Sequence, residues 1–169
     1  MHDAVSLNIA FRHRTAQRGF TLIELVTVVM LLGMLSVVLV PRAFNSQDFN
    51  TRGFHDETLA FVRYAHKTAI AQRRTVCLAF TTSSVALTIA PLPASSACTA
   101  ALAGPTGQSP ALLTARPGAT YGAQPLDFGF NGLGQPVDAL GTLMPTQTLQ
   151  VTGMAPALVV ESVTGYVHE

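Results

Sequence analysis

Gly19-Phe20-Thr21-Leu22-Ile23-Glu24 opens a stretch that stays apolar as far as Val40, with Glu24 as its only charge. From Phe20 to Val40, about 21 residues at a rise of about 1.5 Å make a helix of about 31 Å, enough to cross a bilayer core. In front of it stand Arg12, Arg14 and Arg18, opposed only by Asp3. The positive-inside bias therefore predicts a cytoplasmic N-terminus and a chain carried across the membrane after Pro41. Leu39-Val40-Pro41-Arg42 offers no Ala-x-Ala cleavage site and the apolar run is long, which sets the anchor reading above that of an ordinary secretory signal. An acid inside such a segment costs about 2.5–3.5 kcal/mol near the helix centre and less near the interface. Glu24 either snorkels to the headgroups or has a function, and intramembrane ionisable groups are functional by default.

Over Arg18 to Pro41 the chain resembles type IV pilins and pseudopilins, whose precursors carry a short basic leader, a Gly, then Phe-Thr-Leu-Ile-Glu and an apolar helix. The resemblance implies that a membrane-embedded prepilin peptidase cuts between Gly19 and Phe20 and that the new amine of Phe20 is methylated. It also implies that the Glu24 carboxylate of an incoming subunit pairs with the Phe20 ammonium of its neighbour. Physics points the same way, because an unpaired charge in hydrocarbon is expensive and a paired one is tolerated, which favours one axial register. Gly19 presents no side chain to obstruct the cut.

Composition fits an exported filament subunit: 11% of residues are charged, 49% are hydrophobic, and the net charge is +1. Loss of residues 1–19 would remove three Arg and one Asp, leaving seven basic against eight acidic residues. The remaining chain is long enough for one modest domain. The expected parse is a cleaved leader over 1–19, a transmembrane and assembly helix over 20–41, its amphipathic continuation over 42–74, and a periplasmic antiparallel β domain over 75–169.

The continuation is read from Phe54, Thr58, Phe61, Val62, Ala65 and Ala69, which recur at helical steps while Arg63, Lys67 and Arg74 point elsewhere. One helix from about Thr21 to Gln72 is expected, kinked at Pro41 and weakened at Gly33 and Gly53. After Arg74 the pattern alternates. Val76–Phe80 and Val85–Ile89 read as a hairpin, followed by short strands at Leu126–Phe130, Thr148–Val151 and Ala157–Glu161, with a turn at Asn131-Gly132. The segment 91–125, rich in Ala, Pro, Ser, Gly and Thr, reads as a long surface loop. The fold class is α+β: a long N-terminal helix on a small antiparallel sheet.

Cys77 and Cys98 fall on the side that this topology makes periplasmic, where disulfides persist, and they are expected to pair. Two free thiols are the alternative, and neither Cys has a His or carboxylate at metal-ligand spacing. Toward the C-terminus, Phe128–Pro136 and Val159–Val167 look like the end of minor pilins and pseudopilins of the H-type (FimT) group, which includes the C-type minor pilin of mannose-sensitive haemagglutinin pili. That likeness implies that the two segments are neighbouring strands, with Gly165 permitting a turn.

Catalytic readings find little. His2 and His13 would leave with the leader, His55 and His66 read as surface or groove residues at separate angles, and His168 sits at the tail. Gly129, Gly132 and Gly134 have no phosphate-loop spacing, and Asp127 and Asp138 flank a turn without an announced cleft. No enzyme activity, cofactor or metal is expected. Arg63, Lys67, Arg73 and Arg74 form the basic cluster, but residues 75–169 hold Arg116 against Asp127, Asp138, Glu161 and Glu169, which argues against nucleic acid as a partner. The expected function is that of a minor pilin or pseudopilin assembled into or at the tip of a type IV-type filament. Its partners would be the inner membrane, prepilin peptidase, other pilin subunits and an assembly platform. The alternatives are an H-type minor pseudopilin of type II secretion and a minor pilin that captures DNA.

Overall fold

The computed structural model describes the backbone of residues 19–43 and 46–169, and the side chains of 19–36 and 47–169. The basic leader with Arg12, Arg14 and Arg18 lies outside the described residues, as do Phe44, Asn45 and the side chain of Pro41. The chain divides into two compact units, Met1–Phe44 and Asn45–Glu169.

The first unit contains α1, Leu22–Ala43. Its described side chains are all exposed, on every side of the helix, and they include Leu22, Ile23, Leu25, Val29, Met30 and Leu35. Among the described residues no helix is long and apolar enough to cross a membrane. The side chains of α1 are described only as far as Ser36, so the expected span continues outside that description. The junction that would join α1 to the next helix also lies outside the described residues.

The second unit opens with α2, Ser46–Gln72. Its expected stripe, Phe54, Thr58, Phe61, Val62, Ala65 and Ala69, is buried throughout. The stripe packs on an antiparallel sheet whose centre is the hairpin of β1, Val76–Phe80, and β2, Ser84–Ile89. Val76, Leu78 and Phe80 face the core with Val85, Leu87 and Ile89, the period of two that one buried sheet face requires. On the other edge of β1 lie β5, Phe128–Phe130, and then β6, Pro136–Val137. A smaller sheet is formed by β7, Gln147–Leu149, β8, Leu158–Val160, and β9, Val167–His168. The α+β class read from the sequence is the observed one.

The segment 91–125 departs from the expected surface loop. It supplies β3, Ala100–Ala101, and β4, Ala111–Thr114, which pair end to end along β2. It also buries Leu102, Ala111, Ala119 and Tyr121 in the core. Tyr121 joins the two sheets: its N–H donates to the Thr82 carbonyl at 2.9 Å, and it bridges to Val151. Its hydroxyl meets Thr58 of α2 at 3.2 Å, and burial pushes its pKa up to about 12, an effect the Thr58 contact partly offsets.

The segments Phe128–Pro136 and Val159–Val167 are not paired strands, since β5 bonds to β1 and β6 while β8 bonds to β7 and β9. They meet through their turns instead. A Cβ at Gly165 would fall 1.8 Å from the Gly134 carbonyl oxygen, and Gln135 Nε2 donates to the Val163 carbonyl at 3.3 Å. Gly165 does turn the chain, at φ +63.

Candidate functional site

The N-terminal site is built on the first turn of α1. Thr21 is the N-cap: its hydroxyl accepts from the Glu24 amide at 3.3 Å, and its carbonyl accepts from the Leu25 amide at 3.2 Å. Glu24 therefore stands three residues into the helix, the acidic position of a Thr-x-x-Glu cap, where the positive end of the helix dipole favours a carboxylate. That cap was present in the sequence as Thr21-Leu22-Ile23-Glu24, a signal that the reading of Glu24 as a membrane acid passes over. The other hydroxyls described on α1 are satisfied by its own backbone, Thr27 donating to the Glu24 carbonyl at 2.9 Å and Ser36 to the Leu32 carbonyl at 2.6 Å. The Glu24 carboxylate is left as the ionisable group of this helix without a partner among the described residues.

Two glycines of this unit have open space around them among the described residues. A Cβ at Gly19 or at Gly33 would meet nothing within 4 Å. Glycine in a helix interior costs about 1 kcal/mol relative to alanine, a cost that no described neighbour of Gly33 explains. Phe20, beside Gly19, is 81% exposed.

Cys77 of β1 and Cys98 are bonded, with Cα atoms 6.0 Å apart. In the chain-entropy account a loop of this size stabilises by roughly 3 kcal/mol. The bond ties the start of the 91–125 segment to the sheet centre.

The histidines need a correction. His55 is not a surface or groove residue: it is 2% exposed, because position 55 lies on the same stripe as Thr51 and Thr58. Its Nδ1 lies 3.4 Å from Asp56 Oδ1 and 3.9 Å from Glu169 Oε1. These three residues place potential ligand atoms within 4.8 Å of one another, a cluster that the spacing of histidines in the sequence did not suggest. A metal-bound imidazole ordinarily donates its other N–H to a neighbour, yet Nε2 of His55 is buried with no partner among the described residues. The donor set thus fits a hydrogen-bonded anchor better than a metal site. His66 does face a groove, with Nε2 3.2 Å from the Thr164 carbonyl. His168 Nε2 sits 2.9 Å from Glu161 Oε1, and this contact raises its pKa, assisted by the Glu169 carbonyl.

Four other charged side chains serve the backbone. Asp127 accepts from the Phe80 amide at 2.7 Å, and Asp138 accepts from the amides of Leu140 and Thr142 at 2.9 and 2.8 Å. Arg63 Nε donates to the Val167 carbonyl at 3.0 Å and Arg74 Nε to the Ala90 carbonyl at 2.6 Å. Two members of the basic cluster are thereby held against the protein's own carbonyls.

The geometry defines a two-part molecule, an exposed apolar helix opened by one acid and a compact disulfide-bonded α+β unit. A family profile, the prokaryotic N-terminal methylation motif, matches residues 14–40. That match supports a type IV pilin-like reading of the N-terminal segment, the kind of signal that prepilin peptidase processes. Comparison with curated proteins and with solved structures returned no match.

Proposed function

We propose that this chain is a minor pilin or pseudopilin, cut between Gly19 and Phe20, methylated on the Phe20 amine and assembled through α1 into or at the tip of a type IV-type filament. The observation that carries the reading is the Glu24 carboxylate, unpartnered among the described residues, in the first turn of a helix whose described side chains are exposed and apolar on every side, five residues after a glycine that no described residue packs against.

A helix that is apolar all round needs lipid or other helices to cover it. In either setting Glu24 is costly alone, whereas an ammonium at Phe20 of a neighbouring copy would neutralise it. Pairing of unlike charges at two fixed positions selects one axial offset between copies, and the hydroxyls of Thr27 and Ser36, already bonded to backbone, do not compete for the carboxylate. The remaining contacts along the helices are van der Waals packing, with Gly33 admitting close approach.

Two variants test the reading in the native host. Gly19→Glu places a bulky charge at the cut and should leave an uncleaved precursor; normal mature product would remove the cleavage assignment. Glu24→Val should be cleaved normally yet incorporated poorly into filaments. Unchanged incorporation would dismiss the pairing role.

A further inference from the structure

Beyond α1, every described acid is engaged within the chain. Glu57 pairs with Arg116 at 3.3 Å, Glu161 with His168 at 2.9 Å, and Asp56 and Glu169 face His55. Asp127 and Asp138 accept from backbone amides, and Asp48 has a partner as well. The cations are less fully matched. Lys67 of α2 is exposed and makes no hydrogen bond or ion pair among the described residues. Arg63, one helical turn before it and on the same face, is held through Nε by the Val167 carbonyl at 3.0 Å, which leaves its two terminal amino groups without a described partner.

These two cations stand at one groove of about 580 Å³, also lined by His66, Ile70, Tyr166 and Val167 and, among the described residues, by no acid. Its walls are held from behind. His66 Nε2 lies 3.2 Å from the Thr164 carbonyl, and its ring meets Phe130 edge-on with centroids 5.1 Å apart. Tyr166 stacks on His168 at 5.4 Å between centroids, and Glu161 fixes that imidazole. Even so, Tyr166 is 59% and Ile70 43% exposed, apolar surface that the chain leaves uncovered. A guanidinium anchored by its Nε presents a preset fork, and with an ammonium one turn away it is arranged for a carboxylate. The Ile70 and Tyr166 surfaces suit an apolar body attached to that carboxylate.

A second copy does not supply that group. Glu24 apart, which the proposed function assigns to Phe20, each described acid of the copy would have to leave an internal contact to reach the groove. Nucleic acid fits less well than a carboxylate on an apolar body. An extended polyanion gains from a row of cations, whereas here two cations stand beside apolar surface, and Glu161 and Glu169 lie on the same C-terminal stretch as Tyr166.

We propose that the groove between α2 and Tyr166 receives an acidic segment of a different protein subunit, an Asp or Glu flanked by a large apolar side chain. The carboxylate takes the Arg63 fork and the Lys67 ammonium, and the apolar neighbour lies on Ile70 and Tyr166. The contact joins unlike chains, as suits a subunit present in few copies. So small a contact contributes where subunits are already concentrated, and in that respect, as in assigning Glu24 elsewhere, it rests on the proposed function.

The test is an NMR titration of the full chain in dodecyl maltoside with the end-capped peptide Ser-Leu-Glu-Phe-Ser. The peptide should shift the amides of Lys67, Ala71, Tyr166 and Val167 with millimolar affinity. Its analogue Ser-Leu-Gln-Phe-Ser should bind about tenfold more weakly, the factor expected for one charge-assisted contact. Lys67→Gln, at a side chain that bonds to no described residue, should weaken the Glu peptide about threefold and leave the thermal midpoint unchanged. Equal binding of the two peptides, shifts confined to other residues, or no shifts at millimolar peptide would overturn the proposal. So would shifts of these amides on concentrating the protein alone, which would put a second copy in the groove. Tighter binding of an oligothymidylate, lost in Lys67→Gln, would overturn it in favour of nucleic acid. A native chain that begins at Met1 would remove the processing assignment without altering this titration, so the two failures are distinct.

Discussion

The two helices of this chain show what a hydrophobic surface means in two settings. In α2 the apolar positions form one stripe, Phe54 to Ala69, which the protein covers with its own sheet, while α1 offers apolar side chains in all directions and covers none of those described. The first pattern stabilises a fold; the second stabilises an assembly or a place in a membrane. The one acid of α1 matters for the same reason: among the charges of α2 an extra carboxylate is ordinary, whereas in α1 it is the only charge among the described side chains.

The largest effect is expected from Phe61→Ala, which empties a buried site under the sheet and should destabilise the α2 unit by about 3–5 kcal/mol, read as a fall in thermal midpoint. Leu25→Ala, on the exposed α1, should leave that midpoint unchanged; an equal fall would erase the distinction between the helices. Cys77→Ser with Cys98→Ser should cost roughly 3 kcal/mol by denaturant titration. Gly165→Ala combines a 1.8 Å approach to the Gly134 carbonyl with a left-handed backbone and should cost about 1–3 kcal/mol. Thr21→Ala removes the α1 cap, worth about 1 kcal/mol, and should raise amide exchange in the first turn of α1 without touching α2.

The smallest effect concerns pH. The pKa of His168 is raised on folding by Glu161, so the stabilisation from that pair is fully present below the ordinary imidazole value and is lost as pH rises through the raised one. Glu161→Gln should return the His168 titration, followed by NMR, toward the ordinary value. An unmoved titration would show that the carboxylate is not the cause.

Much of this architecture was legible in the sequence because its signals are local. The α2 stripe, the β1–β2 hairpin and the Asn131-Gly132 turn all declare themselves by period or turn chemistry. What escaped depends on partners distant in sequence. Ala100-Ala101 and Ala111-Leu112-Leu113-Thr114 are too short and too poor in β-branched residues to announce strands, and they become strands because the free edge of β2 pairs with them. His55 reads as a surface residue by type and is buried by position. Asp138-Ala139-Leu140-Gly141 lacks the Asn-Gly signature, yet it folds as the Asn131-Gly132 turn does because an aspartate oxygen accepts the same two amide bonds that the Asn131 oxygen accepts there. At the N-terminal site the order of residues was legible and the cap at Thr21 was written beside it.

The most direct test is the intact mass and N-terminal sequence of the protein isolated from its native host. The account predicts a chain that begins with N-methylated Phe20 and lacks residues 1–19. A chain that begins at Met1, or an unmethylated terminus at any position other than Phe20, would contradict it.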